Sequence, residues 1–189
     1  MGEIKIILGC MRSGKTSKLI SEWHKWNSIS KNAICINYAE DNVRFNIMDK
    51  TITEISHVYS HDLENIKCIN AMTLESISDI IVSDTKNAII LINEGQFFPD
   101  LSYYVITWCE LYGKSILVSG LDGDYLRRPF GQILELIPFA NKVKKLKAFC
   151  SICKDGTHAH FTKRISDDVE QKVINNDIYI SVCRKHFNP

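Results

Sequence analysis

The chain has 189 residues, room for one ordinary domain and a small appendage. Hydrophobic residues make up 45% and charged residues 24%, values of a globular protein that exclude a disordered or collagen-like chain. Lys and Arg number 23 against 22 Asp and Glu, a net charge of +1 without the basic excess of a dedicated nucleic-acid binder. No run approaches the ~18 apolar residues of a membrane span. The first strand begins by residue 3 and carries Lys5, so no signal peptide is read there and the expected location is cytoplasmic.

In chain order, Glu3 to Leu8 is β-rich, and Gly9-Cys10-Met11-Arg12-Ser13-Gly14-Lys15-Thr16 fits the phosphate-loop pattern G-x-x-x-x-G-K-[ST]. Ser17 to Asn27 then reads as helix, completing the strand–loop–helix context that the pattern requires. Glycines let backbone N–H groups converge on phosphate oxygens, and the helix N-terminus adds partial positive charge. In this reading Lys15 reaches the β/γ-phosphates and the Thr16 hydroxyl ligates Mg²⁺. Ala33 to Tyr38 is a second strand, and Thr73 to Val82 has helical spacing at Leu74, Ile77, Ile80 and Ile81. Ala88 to Ile92 reads as a strand buried on both faces, Leu101 to Leu111 as helix, and Ser115 to Ser119 as another buried strand. The alternation implies an α/β fold of phosphate-loop NTPase type, a parallel sheet with helices on both faces. Gly9, Asp41, Asn93 and Gly120 all follow strand ends, the edge at which such sheets bind ligands.

Asn93 occupies the place where phosphate-loop enzymes carry a Mg²⁺-holding acid, and the acid follows one step later at Glu94. A glutamate at that edge, flanked by Gly95, Phe97 and Phe98, is a candidate general base for a substrate hydroxyl. Farther on, Lys142, Lys144, Lys145 and Lys147 form a basic cluster whose intervening apolar residues suggest a half-exposed strand.

After about Ala148 the texture changes. The predicted division is an ATP-binding domain over 1–148 and a zinc-binding domain over 149–189. Seven cysteines argue against a complete disulfide framework. Cys150-x-x-Cys153 and Cys183-x-x-His186 have the spacing of a tetrahedral structural Zn²⁺ site of Cys₃His type. Unrelated thiols, or a redox pair at Cys150 and Cys153, are the competing readings. A segment of about forty residues buries too little apolar surface to fold alone, and a metal supplies the difference.

Four motifs in register carry a family resemblance. They are Gly9-x-Met11-x-Ser13-Gly14-Lys15-Thr16, Glu94-Gly95-Gln96-Phe97-Phe98-Pro99-Asp100, Leu121-Asp122-Gly123 with Arg127-Arg128-Pro129-Phe130-Gly131, and the two zinc pairs. From Ile4 to His186 the chain resembles the type II thymidine kinases, the enzymes of the cytosol and of large DNA viruses. The resemblance implies transfer of the ATP γ-phosphate to the 5′-hydroxyl of thymidine or deoxyuridine, with Glu94 as base. It places ATP-side contacts at Gly9 to Thr16, at Asp41 and Arg44, and at Asn93 and Gln96. It also implies a lasso-like loop, held between the zinc pairs, that covers the nucleoside. The substrate contacts then fall on Met11, Leu121, Tyr125, Phe130, Thr162, Gln171, Lys172, Val173, Ile174, Asn175 and Tyr179, and Arg127 becomes a candidate phosphate contact. A homotetramer and thymidine triphosphate (dTTP) as feedback inhibitor belong to the same implication, and nucleic acid and membranes are not expected as partners.

The chain departs from the family pattern at Asn93, where the family has Asp, at Asp124, where a small hydroxyl residue is common, and at Asn175-Asn176 in place of two glycines. Tyr125 also stands where Phe is usual. The alternative reading, drawn from Asn93, is an ATP-binding but catalytically weak homologue with a regulatory or binding role.

Overall fold

The computed structural model describes residues 2–29, 32–40, 55–60, 64–84, 87–173 and 178–188. The expected contacts Asp41, Arg44, Ile174 and Asn175 lie outside the described residues.

Residues alternate across a strand with period two, and the apolar runs sort accordingly. Along β1 (Ile4–Gly9), Ile4, Ile6 and Leu8 join one buried cluster while Ile7 joins another. The same split runs through β5 (Asn87–Ile92), with Ile90 and Ile92 on one side and Ile89 and Leu91 on the other. In β6 (Ile116–Gly120) Leu117 faces opposite Ile116 and Val118. A continuous apolar run is thus the signature of a strand covered on both faces.

These strands combine with β2 (Asn32–Tyr38), β3 (Ile55–Tyr59), β4 (Asn65–Ala71) and β7 (Lys142–Leu146) into a seven-stranded sheet. Its order is β3-β4-β2-β5-β6-β1-β7. Every neighbouring pair is parallel except β3 with β4. Helix α1 (Lys15–Asn27) covers one face through Leu19, Ile20, Trp23 and Trp26. The other face is covered by α2 (Ser78–Ser83), α3 (Leu101–Glu110) and a 3₁₀ segment, Ile133–Phe139, through Ile81, Leu101, Val105, Trp108, Ile133 and Leu136. The parallel α/β architecture with helices on both faces is therefore present.

Two local features differ from the expected elements. The helix expected over 73–82 begins as a 3₁₀ turn, Glu75–Ile77, before α2. There the Asp100 carboxylate accepts the N–H groups of Leu74 (3.1 Å) and Glu75 (2.9 Å), fixing the entry to the turn. Strands β3 and β4 were not anticipated, although Ile66 and Cys68 are buried between exposed Asn65 and Lys67 in a clear alternation. The lysine-rich run forms the expected exposed strand as β7 at the sheet edge, where residues 142–145 are all exposed, a charged rim that discourages edge-to-edge pairing.

The chain after β7 forms two small antiparallel ladders, β8 (Ala148–Phe149) with β9 (His158–Ala159) and β10 (Phe161–Arg164) with β11 (Tyr179–Val182), then helix α4 (Arg184–Phe187). Their buried cluster, Ala148, Cys150, Ala159, Val182 and Cys183, also takes in Cys10 of the glycine loop. Among the described residues no helix is long and apolar enough to cross a membrane.

Candidate active site

The glycine loop is shaped for an anion. A side chain at Gly9 would meet Ser13 Oγ at 2.6 Å and the Leu146 carbonyl at 2.8 Å, so only glycine passes between them. Arg12 (φ 57°) and Gly14 (φ 80°) are left-handed, which turns successive N–H groups toward a common concavity. Gly14 precedes α1 without a side-chain cap, and the first turn holds no acidic residue, so the helix's leading N–H groups are left for a ligand. Buried Ser13 Oγ has no hydrogen-bond partner in the structure, a deficit that a phosphate oxygen would fill. Lys15, 8% exposed, lies back across the loop with Nζ donating to the Cys10 carbonyl at 2.9 Å. Thr16 follows it at the helix start and is half-buried. These residues fit a nucleotide phosphate.

Asn93 and Glu94 follow β5, and β6 lies between β5 and β1. Asn93 is buried and its Nδ2 donates to Asn37 Oδ1 of β2 at 2.8 Å. Glu94 holds a left-handed backbone (φ 52°, ψ 42°), a conformation that costs a non-glycine residue energy and concentrates at functional sites. Its Oε2 accepts from Gln96 Nε2 at 2.6 Å, while Gln96 Oε1 accepts the Leu121 N–H at 2.9 Å. Gln96, expected among the ATP contacts, is buried with both ends of its amide engaged in this way. It connects the acid to the loop after β6.

Of the expected substrate contacts, Met11, Leu121, Tyr125, Phe130, Thr162, Gln171, Lys172, Val173 and Tyr179 line a single cavity, joined by Phe97, Gly123 and Asp124. Phe97 and Phe130 meet edge to face at 5.4 Å, leaving an apolar wall. Arg164 organises the loop above. Its guanidinium stacks on the Tyr125 ring at 3.8 Å and donates to Tyr179 Oη (2.5 Å) and to the carbonyls of Asp168 (2.8 Å), Glu170 (2.6 Å) and Gln171 (3.3 Å). Tyr125 Oη donates to the Val169 carbonyl at 2.9 Å, a bond that phenylalanine would lack. Lys172 Nζ donates to Tyr38 Oη at 2.9 Å and to the Glu40 carboxylate. Burial alone would lower the Lys172 pKa, but Glu40 and Tyr38 more than offset this and raise it.

Asp124 is turned into its own loop. Its carboxylate accepts the N–H groups of Leu126 (2.8 Å) and Arg128 (2.9 Å), Arg128 Nε (3.0 Å) and Gln171 Nε2 (3.0 Å). Burial pushes its pKa up, and these four donors more than reverse that, so it lies below the ordinary value. Arg127 lies over the Phe187 ring at 4.3 Å, stacked on α4. Ser181 and the Lys172 partners Tyr38 and Glu40 had no assigned role in the sequence reading because their partners are far away in sequence, and Arg164 had no role of its own because it grips nearby backbone carbonyls.

Cys150, Cys153, Cys183 and His186 bring one ligand atom each within 4.8 Å of all the others. The thiols of Cys153 and Cys183 are 3.8 Å apart, and His186 Nδ1 lies 3.6, 3.3 and 3.4 Å from Cys150, Cys153 and Cys183. A tetrahedron with Zn–S of about 2.3 Å and Zn–N of about 2.0 Å has edges of about 3.8 and 3.5 Å, so the set fits zinc. Against the upward push of burial, the N–H groups of Cys153, Cys183 and Ile152 bring the Cys150 thiol down to about 6.

An anion-shaped loop on a parallel sheet, an acid beyond the neighbouring strand, and a cavity under a loop tied to a Cys₃His cluster define an α/β phosphotransferase of the phosphate-loop class. The sequence profile of the family described as thymidine kinase matches residues 2–187. The chain belongs to the thymidine kinase family. It is 36% identical over 190 aligned residues to the thymidine kinase of vaccinia virus (strain Ankara) and 36% to that of monkeypox virus. Identity to the thymidine kinase of variola virus is 35%, and each alignment covers 98% of this chain and 97% of the relative.

Proposed function

We propose that the protein is an active thymidine kinase, transferring the γ-phosphoryl group of ATP to the 5′-hydroxyl of thymidine or deoxyuridine and yielding dTMP for nucleotide salvage. The carrying observation is that Met11 belongs both to the glycine loop and to the cavity wall, so donor and acceptor meet at one residue. Phosphoryl transfer depends on positioning and charge stabilisation more than on covalent chemistry by the protein. N–H groups of residues 12–16 and the Lys15 ammonium hold the phosphates. Glu94 accepts the proton of the 5′-hydroxyl, oriented by Gln96, which also fixes Leu121 at the cavity. Phe97, Phe130 and Tyr125 give the flat apolar slot that a pyrimidine needs, with Thr162 and the loop backbone supplying polar groups. Mg²⁺, held by Thr16 and near Asn93, would neutralise phosphate charge. Zn²⁺ at Cys150, Cys153, Cys183 and His186 would have no open position and is structural.

The same reading takes residues 149–189 as a distinct zinc-binding unit, supported among the described residues by two ladders, the first beginning at Ala148, that pair apart from the seven-stranded sheet. It extends, on the family resemblance, to a cytoplasmic homotetramer inhibited by dTTP. Asn93 favours a second reading, an ATP-binding protein with little turnover, since an amide gives Mg²⁺ no charge. Transfer of labelled phosphate from ATP to thymidine across a Mg²⁺ titration separates them. Turnover that rises with Mg²⁺ supports the kinase, and intact ATP binding without turnover at any Mg²⁺ concentration supports the second.

A further inference from the structure

Thr162 in β10 and Ser181 in β11 are register partners, and both are buried, Ser181 at 1% exposure. Their hydroxyls take hold of one residue of the glycine loop from two sides. Thr162 Oγ1 accepts the Met11 N–H at 3.0 Å, and Ser181 Oγ donates to the Met11 carbonyl at 2.5 Å. Serine is a poor strand former, and a buried hydroxyl needs a partner, so packing alone gives no reason for serine here. The partner it has lies 170 residues away in sequence.

A trans peptide directs its C=O and N–H oppositely. With the Met11 carbonyl held at Ser181, the Arg12 N–H of the same peptide faces away from the hairpin. Arg12 is also where the backbone turns left-handed and begins the concavity that ends at Gly14. We propose that Ser181 is a positioning residue for ATP: through the Met11–Arg12 peptide it sets the direction of the first phosphate-facing N–H of the loop. This rests on reading residues 9–16 as the phosphate loop. It gives the hairpin a task on the donor side, apart from the cover it forms over the acceptor cavity.

The test is equilibrium binding of a fluorescent ATP analogue without thymidine, together with KM for each substrate. Loss of one hydrogen bond predicts that Ser181→Ala weakens ATP binding and raises the ATP KM about 3- to 10-fold, with thymidine KM moving less than about twofold. Zinc content stays at the wild-type level. Ser181→Thr and Ser181→Val have the same shape and differ in the hydroxyl, so Thr restores ATP affinity and Val does not. This pair reads the hydroxyl even if the alanine variant is insoluble. Unchanged ATP affinity in the variants lacking the hydroxyl, or an equal rise of both KM values, overturns the proposal. Failure of the wild-type chain itself to bind the analogue would instead sink the phosphate-loop reading.

Discussion

At position 93 a neutral amide sits where a charge would draw a metal, and its Nδ2 is directed to Asn37. A carboxylate there has no proton to donate, so Asn37 would have to turn its own amide over and become the donor. That exchange keeps a hydrogen bond between the two side chains, and Asn93→Asp is therefore expected to fold. The variant should reach half-maximal rate at about 10-fold lower Mg²⁺, the lower end of what ligand-supporting groups contribute. Rate against Mg²⁺ measures it, and an unshifted curve removes position 93 from the metal's surroundings. Glu94→Gln keeps the shape of the site but loses the base. Turnover should fall about 10²- to 10⁴-fold while ATP affinity stays near the wild-type value. A variant that keeps a tenth of the rate would leave Glu94 without that role.

Among the elements, the loop over the cavity gathers around one guanidinium, with further bonds at Val169, Gln171 and Lys172. Arg164 draws together carbonyls four, six and seven residues ahead of it, which planar, forked donors do and an ammonium does not. Arg164→Lys is accordingly expected to raise thymidine KM about 10-fold or more with ATP KM nearly unmoved, on the scale of lost charge-assisted bonds. Equal KM values in variant and wild type would show that the loop is organised elsewhere. The turn at Asp124 adds a pH dependence. A folded-state pKa below the ordinary 3.8 gives stability that is fully present above 3.8 and lost as pH falls through the lowered value. The drop in melting temperature from pH 5 to pH 3 should thus be smaller in Asp124→Asn than in wild type. Much of this layer was hidden in the sequence. The central strands and the glycine loop were legible because continuous apolar runs and a fixed glycine pattern are local signals. Residues of the cavity, from Met11 to Tyr179, were reached through the family resemblance. Arg164 and Ser181 act on backbone carbonyls, which carry no side-chain identity to read, and β3–β4 is a short edge hairpin whose alternation resembles a polar loop.

For the whole molecule, the cluster of Cys150, Cys153, Cys183 and His186 sits against Cys10 at the start of the glycine loop. Removing zinc, by chelation or by Cys153→Ser, should therefore weaken thymidine and ATP binding together, with loss of near-ultraviolet dichroism from the C-terminal aromatics. Full binding of both substrates by metal-free protein would contradict a structural metal. The strand order has one more consequence. With β6 between them, the strands that present the loop and Glu94 stand two lateral spacings apart, about 10 Å. Adjacent strands would press the carboxylate against the phosphates, like charge on like charge. Under the proposed mechanism, one strand's width would instead leave a gap about the size of a sugar, and the sheet would act as a gauge that admits a hydroxyl between base and phosphate.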